Sequence, residues 1–375
     1  MNFEALLKFG VDQGATAIHL QAESTPQLRI GGLIRNVEGP PLKAEDLGAF
    51  LSSIAPKSMI DQLDGSRTPG SSFSASVPGA GRFRCTTYSH VGGPGLVLRV
   101  IPSTIRGIEE LRLPPAVRQV ALAPQGFVLV VGPAGSGKTT TLTAMVDAIN
   151  VGSHRKIVSI EAPVEQLHAN KKSLITQMEI GRNVSSFEHG LKLALEQDAD
   201  VIVVGDLPNP MVVRMALGAA EAGRKILAAM TGLYAIPALA RLLAMLPPEE
   251  RETFVSQLAG SLEGVIAQRL ARGRDGKHQA AVEILRGGAT TSKSILGNRL
   301  KDLSFLMEGR QGGMQTLDQH LIELYQAGTV SGTEAMRLAV NPETVGAGLR
   351  TPRQAKAAPD SVASDLLPVD SDLVP

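Results

Sequence analysis

Tryptophan is absent from this 375-residue chain, and aromatic residues make up only 3% of it. Single-stranded nucleic acid is commonly gripped by stacking bases on aromatic platforms, so that mode of binding has little to rest on here. Neither sign of charge is in excess: 37 lysines and arginines face 36 aspartates and glutamates. Such a balance leaves no basic footprint for a duplex, and no nucleic-acid partner is expected. Cys85 is the one cysteine. No disulfide can form within the chain, which suits a reducing compartment, and a lone cysteine is most simply a small buried hydrophobe. The seven histidines are scattered without metal-ligand spacing. Long apolar runs are missing too. None approaches the roughly eighteen residues that a membrane span needs. The opening stretch carries Glu4 and lacks the apolar core of a signal peptide. The expectation is a cytoplasmic protein with no direct membrane span.

What is present is an ordinary apolar fraction of 43% in a chain long enough for two or three domains. Residues 1–105 mix one helical pattern (Phe3, Leu6, Leu7, Val11) with short strands at 18–20, 27–30, 82–85 and 96–101. This predicts a small α+β domain, with residues 106–115 as a linker. Residues 116–340 alternate strand and helix, with strands at 127–131, 156–160, 201–204 and 225–230, which predicts a mainly parallel sheet covered by helices. Ser185 and Glu188 have the spacing of a capping box, Asn209-Pro210 that of a cap and first helical residue, and Thr316 with Gln319 a second capping box. Phe254, Leu258, Leu262, Val265 and Ile266 predict the apolar stripe of one long helix. Residues 341–375, rich in Pro, Ala, Ser and Asp, predict a disordered tail.

One segment nearly names its ligand. Gly132-Pro133-Ala134-Gly135-Ser136-Gly137-Lys138-Thr139 matches the phosphate-loop pattern G-x-x-x-x-G-K-[ST], between a buried strand and a helix that continues through Thr140. Glycines let backbone amides converge on phosphate oxygens, and the helix N-terminus favours negative charge. Lys138 would neutralise the β- and γ-phosphates of ATP, and the Thr139 hydroxyl would ligate Mg²⁺. Two further carboxylates follow apolar strands: Asp206 after 201–204, placed to hold Mg²⁺, and Glu165 after 156–160, placed to activate water.

The order of motifs resembles the PilT-like retraction ATPases of type IV pili, within the type II/IV secretion ATPase family. Gly14-Ala-Thr-Ala-Ile-His-Leu20, Arg82-Phe-Arg84, Leu98-Arg-Val-Ile-Pro102, Glu161-Ala-Pro-Val-Glu165, Val204-Gly-Asp206, Ala219-Ala-Glu-Ala-Gly223 and Gly313-Met-Gln-Thr-Leu-Asp318 carry the resemblance. It implies a PAS-like N-terminal domain joined to a RecA-like P-loop ATPase domain, and a hexameric ring or a mixed ring with a paralogue. It also implies an inner-membrane pilus or secretion platform as partner, so that the protein is held peripherally at that membrane. Glu165 takes the position of the catalytic base, and Arg82, Arg84 and Arg99 become candidates to reach the phosphates. The chain also departs from the family pattern. Ala162 stands where the family has Asp, Asp206 where it has Glu, Thr231 where it has His, and Glu196 where it has Arg. Each lost charge contact in a transition state costs about one to a few kcal/mol, which predicts slowed hydrolysis more than weakened ATP binding. An accessory subunit with weak or no hydrolysis, acting with a competent paralogue, is the alternative reading.

Overall fold

The computed structural model describes residues 2–56, 60 and 70–350. Its N-terminal part begins with helix α1 (Phe3–Asp12), capped by the Asn2 side chain, which accepts from the Ala5 amide at 3.0 Å. Strands β1 (Ala17–Gln21), β2 (Gln27–Ile30) and β3 (Leu33–Asn36) lead to α2 (Ala44–Ile54). Strands β4 (Ser72–Val77), β5 (Gly81–His90) and β6 (Gly93–Ile101) complete an antiparallel sheet in the order β3-β2-β1-β6-β5-β4. The two helices cover one face. Leu7, Leu47 and Leu51 from the helices meet Ile18, Leu20, Phe83, Leu96 and Leu98 from the sheet. Alternation along β5 puts Phe83 and Cys85 in that core, so Arg82 and Arg84 take the other face. Cys85 is a free, buried thiol whose pKa burial pushes up to about 12, so it is an inert hydrophobe.

The second sheet follows α3 (Pro115–Leu122). It is built from β7 (Gly126–Gly132), α4 (Lys138–Gly152), β8 (Lys156–Glu161), β9 (Leu174–Glu179), α5 (Phe187–Glu196), β10 (Val201–Val204), α6 (Pro210–Glu221), β11 (Lys225–Thr231), α7 (Ala235–Ala244), α8 (Arg251–Ser261), β12 (Leu262–Arg272) and β13 (His278–Arg286). Its order is β13-β12-β7-β11-β10-β8-β9, parallel throughout except for the final β12–β13 pair. Helices cover both faces, which explains why strands such as Val201–Val204 are continuous apolar runs. Along β7, Phe127, Leu129 and Val131 pack with α5, α6 and α8, while Val128 and Val130 pack with α3 and α4. The chain closes with α9 (Ala289–Leu296), α10 (Leu303–Glu308), α11 (Leu317–Gln326), α12 (Gly332–Leu338) and α13 (Pro342–Arg350).

Three local expectations meet a different structure. The stripe from Phe254 to Ile266 is not one helix: α8 ends at Ser261 and β12 begins at Leu262. In β12, Val265 and Ile266 point to opposite sheet faces, a period of two hidden in a short apolar run that fits either element. The cap of α5 is Ser186, whose Oγ accepts from the His189 amide, one residue later than the Ser185 box; Glu188 instead accepts from Asn209. The region expected as a tail from 341 starts with α13, whose Val345 is buried against α11 and α12, and its residues 351–375 lie outside the described ones. The Asn209-Pro210 cap and the Thr316–Gln319 capping box form as expected.

His320 on α11 is 5% exposed, and its Nδ1 accepts from the Val282 amide at 2.9 Å. Burial, first of all, lowers its pKa from 6.5 to about 4, with Arg310 adding to the fall and Glu323 opposing it. Between those values the unfolded chain takes up a proton that the folded chain refuses, so stability is full above pH 6.5 and falls as pH drops toward 4. Thermal melts over that range are expected to fall less steeply for His320→Gln, the difference reaching about 2–3 kcal/mol at the acid end.

Candidate functional site

The loop from Gly132 to Thr139 joins the C-terminal end of β7 to the N-terminus of α4. Only glycine fits at its start, because a Cβ at Gly132 would sit 2.2 Å from Ser136 Oγ and 2.8 Å from the Gln268 carbonyl. Gly135 and Gly137 have φ of +76° and +87°, the left-handed region that turns amides inward. The first amides of α4 have no intrahelical acceptor and carry the positive end of the helix dipole. Ser136 Oγ is buried without a hydrogen-bond partner. Lys138 Nζ donates to the carbonyls of Gly132 at 2.8 Å and Pro133 at 3.0 Å. Desolvation lowers the Lys138 pKa, and the field of Asp206 works against that. The result is a half-buried cation whose hydrogen bonds go only to neutral carbonyls.

A brace behind the loop had no signal in the sequence. Gln268 on β12 donates from Nε2 to the Ser136 carbonyl at 2.7 Å, and its Oε1 accepts from Thr141 Oγ1 at 2.8 Å. The residue lies just past the apolar stripe that ends at Ile266, where a single buried glutamine carries no pattern.

The outer face of the N-terminal sheet lies across from this loop. Arg84, Arg99, Glu165 and residues 134–140 line one cavity of about 650 Å³, with Thr86, Val97 and Leu270. Arg84 and Arg99 are direct cross-strand neighbours in β5 and β6. Like charges facing each other across an antiparallel pair are destabilising, and an anion between them removes that cost. Arg84 Nη1 also pairs with Glu165 Oε1 at 2.6 Å. Both partners are partly exposed, so the pair contributes roughly 1 kcal/mol or less to stability.

Arg82 is placed elsewhere. Its Nη2 donates to the Val164 carbonyl at 2.7 Å, and its Nε to the Glu165 carbonyl at 3.0 Å. It does not line the cavity; it grips the backbone that carries Glu165. Asp206 is exposed just after β10 and is outside the lining as well, although its field reaches Lys138. Glu161, at the end of β8, accepts from Ser159 Oγ at 2.8 Å and Gln177 Nε2 at 3.3 Å. Burial raises its pKa, so a proton is held there more readily than on a free carboxylate. Glu161, Glu165, His168 and Thr139 share a smaller void of about 80 Å³ behind the loop. Ala162 lies between the two glutamates and brings no charge. Among the described residues no group of three or more His, Cys, Asp or Glu side chains converges on a metal site. No helix among them is long and apolar enough to cross a membrane.

On the other side of the α4 N-terminus, a cavity of about 490 Å³ touches Gly137, Thr140 and Thr141. Arg106, Arg112, Lys277 and His278 line it from the interdomain segment and the β12–β13 turn.

The family model for type II/IV secretion system proteins matches residues 3–326. The type IV pilus retraction ATPase PilT of Pseudomonas aeruginosa is 36% identical over 346 residues, which are 92% of this chain and 99% of that protein. A twitching motility protein of Neisseria gonorrhoeae is 36% identical over 327 residues, 86% of each chain. Among solved structures, the pilus retraction motor PilT with bound ADP superimposes with a TM-score of 0.84 at 32% identity, covering 92% of this chain and 98% of that one. The mainly parallel sheet with its phosphate loop is therefore the RecA-like α/β fold expected from the sequence, preceded by an antiparallel sheet domain.

Proposed function

The chain belongs to the type II/IV secretion system protein family, on its PilT-like branch, and from that membership we propose that it binds and hydrolyses ATP as a motor subunit of a type IV pilus or a related secretion system. The observation that carries this reading is the single cavity in which the phosphate loop, Arg84, Arg99 and Glu165 face one another. The loop suits a polyphosphate: no Cβ could share the place of Gly132, and the helix-terminal amides and Lys138 offer donors. Phosphates seated there would take Lys138 Nζ from its two carbonyls. Arg84 and Arg99 would meet the outermost phosphate, where charge develops as the bond breaks. Glu165 would accept the proton of the attacking water once Arg84 turns to the phosphate. Thr139 and Asp206 would hold Mg²⁺, Asp206 through water, and the ion would offset charge on the β- and γ-oxygens. The cavity beside Gly137 and Thr140 gives the nucleoside a place.

In this reading six copies, or a mixed ring with a paralogue, work against a platform protein at the cytoplasmic face of the inner membrane. A weakly hydrolysing accessory subunit is the second reading. It is favoured by Ala162, which brings no carboxylate beside Glu165, and by the exposed position of Asp206. A titration with ADP, phosphate release from ATP, and sedimentation with and without ATP separate the two. Nucleotide uptake with turnover and a ring is the expected result. Uptake with mixed-ring assembly and no turnover selects the accessory role, and no uptake at millimolar nucleotide overturns both.

A further inference from the structure

We propose that Glu179 is a positioning residue for Glu165, an inference that rests on Glu165 serving in ATP hydrolysis. Glu179 ends β9, is 4% exposed, and does not line the cavity formed with the phosphate loop. Its Oε2 accepts from the Val164 amide at 3.1 Å and from Ser74 Oγ at 2.8 Å. Arg82 Nη2 lies 3.8 Å from the same oxygen and donates to Ser74 Oγ at 2.6 Å. The same guanidinium holds the Val164 and Glu165 carbonyls. Both polar groups of the Val164 backbone are thus fixed, one by Glu179 and one by Arg82, directly before the residue whose carboxylate faces the cavity.

The circuit joins three parts of the chain: the N-terminal sheet through Ser74 and Arg82, the loop through Val164 and Glu165, and the second sheet through Glu179. A buried carboxylate is costly unless its oxygens are matched, and here both the matching donors and the nearby cation belong to the loop and the facing sheet. Without Glu179, Arg82 loses its counter-charge and the Val164 amide its acceptor. The loop then keeps its anchors on one side only, and small displacements of a catalytic group lower rates by about a hundredfold. Because two of the members belong to the N-terminal sheet, a movement of that sheet relative to β9 is transmitted to the backbone of Glu165.

The test uses the full chain with Glu179→Ala and Glu179→Gln. The alanine variant is expected to lose about ten- to a hundredfold in kcat with KM and ADP affinity within about threefold. Hydrogen exchange over residues 161–168 is expected to accelerate in it. Glutamine keeps an acceptor oxygen, and it should restore most of both. Wild-type kcat and exchange in the alanine variant overturn the proposal, and so does an equal loss of ADP affinity and kcat. Should the alanine variant not fold, Ser74→Ala removes one of the two hydrogen-bond donors to Glu179 Oε2 and leaves Arg82 in place; exchange over 161–168 is then expected to accelerate to a smaller degree, and unchanged exchange overturns the proposal. If the wild type releases no phosphate, the hydrolysis reading fails, while the exchange difference still decides whether Glu179 holds the loop.

Discussion

Lys138→Ala is expected to bring phosphate release from ATP down to the rate without protein and to weaken ADP binding at least tenfold. The ammonium is half-buried, desolvation already works against its charge, and its bonds go to two neutral carbonyls. A phosphate supplies the counter-charge that this environment lacks. Charge-assisted bonds of that kind contribute about 1.5–3 kcal/mol in the ground state and more where charge develops during transfer. Losing them in the transition state costs about a thousandfold or more in rate. The fold does not depend on this side chain, since α4 packs through Leu142, Met145, Val146 and Ile149. The melting temperature should therefore stay near that of the wild type. A coupled phosphate assay and a fluorescent-ADP titration provide the check. Retention of more than about a tenth of the wild-type turnover would show that the loop is not the site of chemistry.

Glu165→Gln separates binding from chemistry. Glutamine has the same shape and can still accept from Arg84, but it cannot take up a proton from water. General-base catalysis contributes about a hundred- to ten-thousandfold, so kcat is expected to fall by at least a hundredfold. ADP affinity should hold or improve, because a negative charge is removed from the cavity that the phosphates enter and the Arg84 pair is weakened. Single-turnover rates beside equilibrium ADP titrations give the comparison. Parallel losses of affinity and kcat would assign Glu165 to shaping the cavity and not to proton transfer.

Much of the site could be read from residues because local chemistry demands it. A glycine pattern between an apolar strand and a helix has few other uses, and the strands at Phe127 and Val201 are apolar enough to announce a buried parallel sheet. Distant partners left no such mark. Gln268, Glu179 and Ser74 act through contacts 132, 15 and 105 residues away along the chain. A buried polar residue of this kind looks, in sequence, like any surface one. Arg82 and Arg84 illustrate the limit from the other side. They are two residues apart on one strand face, yet one reaches the cavity and the other the loop backbone, a difference set by which neighbour each meets across the domain gap. The α8–β12 boundary was hidden because the helix-spaced apolar stripe runs straight past Gly260 and Gly264, which flank the change at Ser261–Leu262, and tertiary packing decides it.

The alternation along β5 has a consequence for insertions and deletions. Arg82 and Arg84 share the outward face, and Phe83 and Cys85, alternating with them, take the inward one. Adding or removing a single residue within β5 itself, ahead of Arg82 and with the turn after Val77 held in place, would put every later side chain on the opposite face. Both guanidiniums would then be driven into apolar surroundings, and a phenyl ring and a thiol would face the phosphate loop. Length changes inside this strand therefore preserve its two faces in twos and exchange them in ones.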